Sequence, residues 1–370
     1  MANVGDGVGV TQRVQKVTIA KWVKRLSDLT KRKLVVFAKL EKAGMITGGG
    51  SGGQIRWPVE TGEHALNPFI DGRPVSFERF ESEENAFLDW RGYHLNDFIT
   101  RQEKLENGGP EAMVKIFDGK SKKIQRNAMR RLNYEIYKDG NAAANVAANA
   151  IHGIESFMST GAQTVGDELA TIHDDTYANL STAIGGLNAE ANFTRIWTPV
   201  VVSTNKQVAG ANVTWEQAGD EYLRLANTKG SYGNGDDENF DLCTLNEDAW
   251  LDLLNILDGK ERIVVNRGSS VELVSMGFKN SVEVDGLPVT WDRAVPTTDA
   301  DAVAGSVKGY LWTTKQMELH LLGPGNQIFK VDVTFTSTHQ GDEIFVWTLL
   351  QMRFESPKYF GKLVDLDAAV

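Results

Sequence analysis

The sequence of 370 residues has little of what most metal and redox sites require, since it contains one cysteine and six histidines. Cys243 alone can form neither a disulfide within the chain nor a cysteine cage for zinc, which favours a reducing cytoplasm. No uncharged apolar run approaches the ~20 residues of a membrane helix. The N-terminus carries Asp6 among glycines and lacks the apolar core of a secretory signal. We therefore expect no membrane partner.

Catalytic motifs are missing as well. The glycine run at 48–53 has the bare spacing of Gly-x-Ser-x-Gly and of Gly-x-Gly-x-x-Gly, but no strand is predicted before it and no Gly-Lys-Ser/Thr follows it. It is therefore not interpreted as a nucleophile elbow, a dinucleotide-binding loop or a phosphate loop. The acidic runs at 173–175 and 234–239 lack the spacing of a metal site and are interpreted as solvated loops or a helix cap. Cys243 stands between apolar residues, as a small buried thiol does. The sequence thus predicts no catalytic residue, cofactor or metal site, and a protein that is not an enzyme.

What the sequence does contain is material for a core and an uneven charge distribution. Hydrophobic residues make up 41% of the chain, and the length suggests two or three packed units. The net charge is −10, which argues against a protein that coats nucleic acid over its whole surface. Residues 1–45, however, carry ten Lys or Arg against three carboxylates. An acidic body with a basic N-terminal arm suggests two faces that meet different environments.

The basic arm has the spacing of an amphipathic helix. Apolar residues recur at three- and four-residue steps over about 21–43, from Trp22 to Leu40. Its basic side is either a solvated face or a contact with a polyanion, and both interpretations stay open.

A hairpin arm is predicted next. Six residues at 48–53, five of them glycine, suggest a flexible connector. The runs 54–60 and 75–81 then mix aromatic and aliphatic residues with charges, and three prolines lie in or between them. Because a lone two-stranded arm is marginally stable in water, its apolar side must find another surface.

The rest of the chain reads as helices followed by a mixed α/β region. Periodicity predicts helices over 94–109, 111–139, 142–150 and 213–228, and a strand over 240–245 capped by Asn246 before a further helix. Two β runs around Asp285-Gly286 predict a hairpin over 282–291. Two long strands over 328–336 and 344–354 are expected to end the fold.

The order of these parts resembles the HK97-type major capsid protein of tailed bacteriophages. The resemblance rests on stretches at 54–58 and 75–80, Ile184-Gly185-Gly186-Leu187-Asn188 before Trp197, the hairpin at 278–292, and Gly309-Tyr310-Leu311-Trp312-Thr313-Thr314. It implies an α+β fold with these parts: an N-terminal arm (1–46), an extended loop (47–92), a peripheral domain with a long spine helix and sheet (93–200), an axial α/β domain (201–325) and returning peripheral strands (326–370).

The resemblance also implies a function and partners. Copies would assemble in the host cytoplasm into hexamers and pentamers of an icosahedral virion shell enclosing double-stranded DNA, which is contacted without sequence preference. Portal proteins, and scaffold or decoration proteins, would be further partners, with a separate scaffold or none because only about 45 residues precede the arm. An encapsulin-type shell around protein cargo is the alternative. An enzyme with a helical arm and a tail or portal component are weaker rivals.

Three sets of residues are predicted to carry this function. The extended loop would contact a neighbouring subunit through Trp57, Val59, Phe69, Ile70 and Phe77. The inner face would carry the basic arm, with Lys21, Lys24, Arg25, Lys31, Arg32 and Lys33. The spine helix would offer cations for intersubunit salt bridges: Lys122, Lys123, Arg126, Arg130 and Arg131.

Overall fold

A computed structural model of the 370-residue chain describes most of its folded body. The described residues are 34–60, 71, 83–106, 110–140, 143–157, 170–172, 200–204, 206–208, 211–230, 239–260, 273, 275–276, 278, 281–297, 305–323, 325–336, 341–356 and 359–366.

These residues form six α-helices and sixteen strands. The helices are α1 Val35–Ala43, α2 Arg101–Glu106, α3 Pro110–Glu135, α4 Ala143–Ala147, α5 Trp215–Gly230 and α6 Glu247–Lys260. The strands are β1 Ile46–Gly50, β2 Gln54–Glu60, β3 Glu83–Asp89, β4 Arg91–Thr100, β5 Ala170–Ile172, β6 Val200–Ser203, β7 Lys206–Val208, β8 Ala211–Val213, β9 Leu242–Leu245, β10 Ser281–Val284, β11 Leu287–Trp291, β12 Gly305–Trp312, β13 Met317–Leu322, β14 Lys330–Thr336, β15 Gly341–Phe354 and β16 Gly361–Leu366.

The first sheet is built around β15, whose 14 residues span about 45 Å at ~3.3 Å per residue. β13 and β14 pair with it along different parts of its length, β4 pairs antiparallel with it, and β1 adds to β13 in parallel. Helix α3 packs on this sheet through residues at four-residue steps, Ile124, Ala128 and Leu132, all buried. This spacing is the one that predicted the helix over 111–139, and the prediction is confirmed.

The second sheet has seven strands in the order β10-β11-β9-β12-β16-β6-β5. Helices α5 and α6 pack on each other and on this sheet around a core of their own that includes Trp215, Tyr222 and Leu253. Asn246 caps α6 as predicted, because its Oδ1 accepts a hydrogen bond from the amide of Ala249 at 2.7 Å. The mixed α/β character predicted beyond residue 200 is confirmed.

The predicted hairpin over 282–291 is present as β10 and β11. Its two turn residues, Asp285 and Gly286, both have positive φ, at 52° and 78°. Such a turn matches the right-handed twist of the flanking strands, which is why an Asp-Gly pair is a strong hairpin pattern.

Two sequence predictions are wrong. The run 94–109 is a strand followed by a short helix, β4 and α2, because β4 hydrogen-bonds along β15 and its residues alternate in exposure. The glycine run at 48–53 is no free connector: β1 ends at Gly50, where an added Cβ would lie 2.6 Å from the Trp90 ring. Glycine there permits close packing.

The two sheets also exchange strands across the predicted domain boundary at 325/326. β13 lies before that boundary but belongs to the first sheet, whereas β16 lies after it but belongs to the second. The chain therefore crosses between the two sheets more than once. The other predicted domain limits stay predictions.

Candidate assembly surfaces

The base of the hairpin arm lies on the subunit's own core. β2 and β3 pair with Trp57 opposite Ala86, and Trp57, Ala86 and Leu88 on one face are 0–3% exposed. The Arg353 guanidinium lies 5.8 Å from the centre of the Trp57 ring. The Trp57 indole nitrogen has no hydrogen-bond partner among the described residues.

This geometry corrects one sequence prediction. Trp57 was expected to contact a neighbouring subunit because a two-stranded arm could not cover its own apolar face. The face is covered within the subunit, because β3 leads directly into β4 and so holds the arm against the first sheet. The opposite face of the hairpin base is exposed, and Phe87 there is 41% exposed.

The other residues predicted for the extended loop lie mostly beyond the hairpin base. Val59 is part of β2, opposite Glu84. Phe69, Ile70 and Phe77 lie outside the described residues, as does the predicted run 75–81. Their intersubunit role stays a prediction.

The basic arm is described only from Leu34 onward. Lys21, Lys24, Arg25, Lys31, Arg32 and Lys33 lie outside the described residues. The C-terminal part of the predicted 21–43 helix is confirmed as α1, whose C-terminus is closed by Gly44 in the left-handed conformation. Lys39 of this helix is buried, and its Nζ donates to the Asp241 carbonyl at 3.1 Å, which ties α1 to the start of β9.

The spine helix α3 carries a basic face. Lys123, Arg126, Arg130 and Arg131 are exposed, and none has an ion-pair partner among the described residues. No carboxylate stands in the sequence between Asp118 and Glu135, so the face has no acid of its own to neutralise it. Lys122 belongs to the same helix. Four exposed cations on one helix, without an ion-pair partner in the described part of the chain, form a surface suited to an anionic partner.

A buried polar link joins α3 to the second sheet. Asn133 Nδ2 donates to Asp292 Oδ1 at 2.7 Å, and the Tyr137 hydroxyl donates to Asp292 Oδ2 at 3.2 Å. Burial raises the pKa of Asp292, while hydrogen bonds from the Ala294 amide, Asn133 and Tyr137 oppose that shift. Losing one partner would leave a buried carboxylate underpaired, so the link fixes the position of the spine helix.

A second buried link involves a full ion pair. Lys362 of β16 contacts Glu155, which also accepts a hydrogen bond from the Tyr310 hydroxyl, and all three side chains are buried. A buried ion pair is tolerated only where further hydrogen bonds satisfy it, and Tyr310 supplies one. This link holds the segment 154–157 against the second sheet.

A groove opens at the edge of the second sheet, between α6 and β10. It encloses about 440 Å³ and is lined by Glu247, Trp250, Leu251, Leu254, Ser281, Val282 and Trp291. Leu251 is 53% exposed, and β10 is the last strand of its sheet among the described residues. No sequence pattern singled out this groove, because its walls come from segments some thirty residues apart.

The described residues show neither a metal-type cluster nor an activated thiol. They hold no group of three His, Cys, Asp or Glu side chains that could bind a metal ion. Cys243 is fully buried, and burial raises the pKa of its thiol. The runs 173–175 and 234–238 lie outside the described residues. None of the helices in the described part is both long and apolar enough to cross a membrane.

Comparison with known proteins identifies the fold. No family model matches the sequence, and no curated protein matches it. Among solved structures, the capsid of a native GTA particle matches with a TM-score of 0.52 at 8% identity, over 88% of this chain and 90% of that chain. The cyanophage A-1(L) capsid matches with a TM-score of 0.51 at 13% identity, over 90% and 92%. The mature capsid of bacteriophage PhiM1 matches with a TM-score of 0.50 at 10% identity, over 85% and 83%.

These matches run along nearly the whole of both chains. The likeness therefore concerns the fold as a whole and is not limited to one motif. The chain has the α+β, HK97-like fold of phage capsid subunits, which confirms the fold that the sequence resemblance implied. At these identities the likeness concerns the fold, and function is argued separately.

Proposed function

We propose that this chain is the major capsid protein of a tailed-phage-like particle, and that many copies form its closed shell. One observation carries the proposal: the fold matches capsid subunits over about nine-tenths of both chains. The matched structures are capsids of phages and of a GTA particle, which favours a genome-enclosing shell over the encapsulin-type alternative.

Shell assembly makes physical demands that the subunit can meet. A permanent assembly buries about 2,000 Å² or more per interface. Individual contacts can stay weak, because closure of a ring or shell makes each later contact effectively intramolecular. Hexamers and pentamers need one surface that meets a different surface on the next copy. The exposed face of α3 and the groove beside β10 are separate surfaces of this kind.

The hairpin tip is proposed as the part of the arm that reaches a neighbouring subunit. With Trp57 buried in its own subunit, the role falls to Phe69, Ile70 and Phe77, with Val59 at the start of the tip. Pro68 and Pro74 in this stretch discourage open-ended strand pairing between copies.

We propose that one basic surface contacts an adjacent subunit and that the other contacts the packaged genome. Lys122, Lys123, Arg126, Arg130 and Arg131 of the spine helix pair with carboxylates of an adjacent, acidic subunit. The basic arm, with Lys21, Lys24, Arg25, Lys31, Arg32 and Lys33, lies on the inner side toward packaged double-stranded DNA. Because the rest of the subunit is acidic, it does not bind tightly along the DNA, and the DNA can be packed and released.

Further partners follow from the same proposal. A portal complex would occupy one vertex, scaffold or decoration proteins would bind during or after assembly, and assembly would take place in the host cytoplasm. The proposal is tested by expressing the full chain and examining the size-exclusion fractions by negative-stain electron microscopy. Closed spherical particles are expected, whereas a monodisperse monomer at assembly concentrations would refute it.

A further inference from the structure

A buried amide, the side chain of Gln351 in β15, links the root of the hairpin arm to the loop 149–152. Its Oε1 accepts a hydrogen bond from the backbone amide of His152 at 3.2 Å, and its Nε2 donates to the backbone carbonyl of Asp89 at 3.3 Å. Asp89 ends β3, where its carboxylate accepts a hydrogen bond from the Gln54 side chain of β2 at 3.0 Å. The base of the arm and the loop are therefore connected through one fully buried side chain.

The loop 149–152 is also fixed to β4. The Arg91 guanidinium donates to Asn149 Oδ1, and the amide of Ile151 donates to the Tyr93 hydroxyl at 2.8 Å. Asn149 has a positive φ of 55°, a left-handed conformation that costs free energy in a residue other than glycine. The loop keeps this conformation because its neighbours hold it, so the loss of a contact favours its opening.

The site of His152 is suited to the neutral imidazole. The residue is 7% exposed, and its Nδ1 has no hydrogen-bond partner among the described residues. The ring lies against the backbone of Gly140, where an added Cβ would be 2.6 Å from Nδ1. The charge of Arg91 acts on the same ring. An imidazolium has a donor at each nitrogen, so here it would face a cation and would lack an acceptor for Nδ1.

The surrounding charges favour the neutral form of His152. Burial and then the charge of Arg91 lower its pKa from 6.5 to about 4, and the charge of Asp89 opposes them. β15 contributes the neutral amide of Gln351. The end of α3 and the residues after it, which pack against this loop, carry three further charged side chains: Glu135, Lys138 and Asp139. Glu135 and Lys138 pair with each other at 2.5 Å.

We propose that His152 is a proton-sensitive latch for the hairpin arm. When the imidazole is protonated, the loop 149–152 leaves β15, water enters beside Gln351, and the bond that holds the arm at Asp89 is weakened. The inference goes beyond the proposed function, because it concerns the folded subunit with or without its neighbours. It also differs from acid unfolding of the whole subunit, because the second sheet has a core of its own and stays folded.

Hydrogen–deuterium exchange of the full-length chain at pH 7 and pH 5 tests the latch. A histidine pKa of 6.5 in the open loop and about 4 in the closed loop predicts an opening constant about twentyfold larger at pH 5 than at pH 7. After correction for intrinsic exchange rates, we expect this rise in peptides covering 149–153 and 83–90. Peptides of α6 should change by less than about twofold.

A variant that cannot take up the proton isolates the role of His152. His152→Gln should show the same opening constant at both pH values, within about twofold. His94→Gln, which removes an exposed histidine of β4, is the matched control and should keep the wild-type response. Circular dichroism at pH 7 checks that both variants are folded.

The wild-type measurement decides the proposal even if a variant does not fold. Equal exchange at both pH values, a rise confined to 149–153, or an equal rise in α6 would overturn the latch, as would a response that persists in folded His152→Gln. A rise in both arm-root peptides, absent from α6 and from the variant, supports it. Shell formation is measured separately by electron microscopy, so failure of the proposed function leaves this result unchanged.

Discussion

Arg353 and Trp57 form a contact that fixes the hairpin arm to the body, with the guanidinium 5.8 Å from the ring centre. Arg353 is itself held by Glu318 at 3.3 Å and by Glu355. The ring of Trp57 is almost wholly covered by its own subunit. The contact therefore belongs to the folding of the subunit.

Trp57→Ala is expected to destabilise the isolated subunit. Removing a buried Trp side chain costs about 3–5 kcal/mol in the free energy of unfolding, measured by denaturant titration. Phe87→Ala, on the exposed face of the same hairpin, is the matched control and should cost less than about 1 kcal/mol. Equal, small losses in both variants would show that the Trp57 contact does not stabilise the subunit.

Phe69→Asp and Phe77→Asp at the hairpin tip should leave the subunit folded and soluble but unable to form shells. A carboxylate in a buried interface loses its hydration without gaining a partner. Circular dichroism reports the fold, and electron microscopy of size-exclusion fractions reports assembly. Val146→Asp in α4 is the control, because it introduces the same change at an exposed apolar position outside the tip. Normal particles from both tip variants would exclude the proposed contact.

Charge reversal on the spine helix should weaken assembly in a salt-dependent way. Arg126→Glu with Arg130→Glu replaces attraction to an acidic neighbour by repulsion. Light scattering should show a slower rise for this variant than for wild type, and the difference should shrink as salt screens the charges. Arg224→Glu with Arg293→Glu, at two exposed positions outside α3, makes the same change in net charge and is the matched control. The pairing fails if the spine variant and this control assemble alike.

Reversal of the basic arm tests its inner position. Replacing Lys24, Arg25, Lys31, Arg32 and Lys33 by Glu should reduce the DNA content of particles or the yield of shells, because the charge contacting the phosphates changes sign. Absorbance ratios of purified particles and quantitative gels measure both. Unchanged DNA content together with unchanged yield would contradict this role.

His152 should make the subunit sensitive to mild acid. Burial, followed by the charge of Arg91, lowers the pKa of His152 from 6.5 to about 4. Between pH 6.5 and about 4, His152 is protonated in the unfolded chain but neutral in the folded one. Protonation therefore favours unfolding, and stability that is present above pH 6.5 is lost as the pH falls toward 4. The loss should reach at most roughly 3 kcal/mol.

Denaturant titrations between pH 7 and 4 measure this loss. His152→Gln should flatten the dependence in that window, while His94→Gln, which removes an exposed histidine, should leave it unchanged. The same slope in wild type and His152→Gln would assign the acid sensitivity to other groups.

The sequence predicted the elements whose form is decided locally. Helix α3 follows from apolar residues at four-residue steps, the cap of α6 from Asn246, and the β10–β11 turn from Asp285-Gly286. Each depends on neighbours a few residues away. The capsid-like fold followed from the order of these parts, although each part alone is common.

The errors concern elements decided by distant partners. β4 contains apolar residues at three- and four-residue steps, such as Leu95 and Ile99, but its hydrogen bonds go to β15, some 250 residues away in the chain. Trp57 was predicted to contact a neighbouring subunit because no residue near it in the sequence shows that it packs against Arg353. The α6–β10 groove was missed for the same reason, since periodicity does not show which surfaces meet.

The pairing of β4 with β15 has a mechanical consequence. Ten residues of β4 face ten residues of β15, and the hairpin arm continues directly from β4 through Trp90. Tension applied along the arm therefore loads many β4–β15 hydrogen bonds in shear at the same time, and does not break them one after another. A particle strained from within would meet its strongest resistance where this arm joins the body.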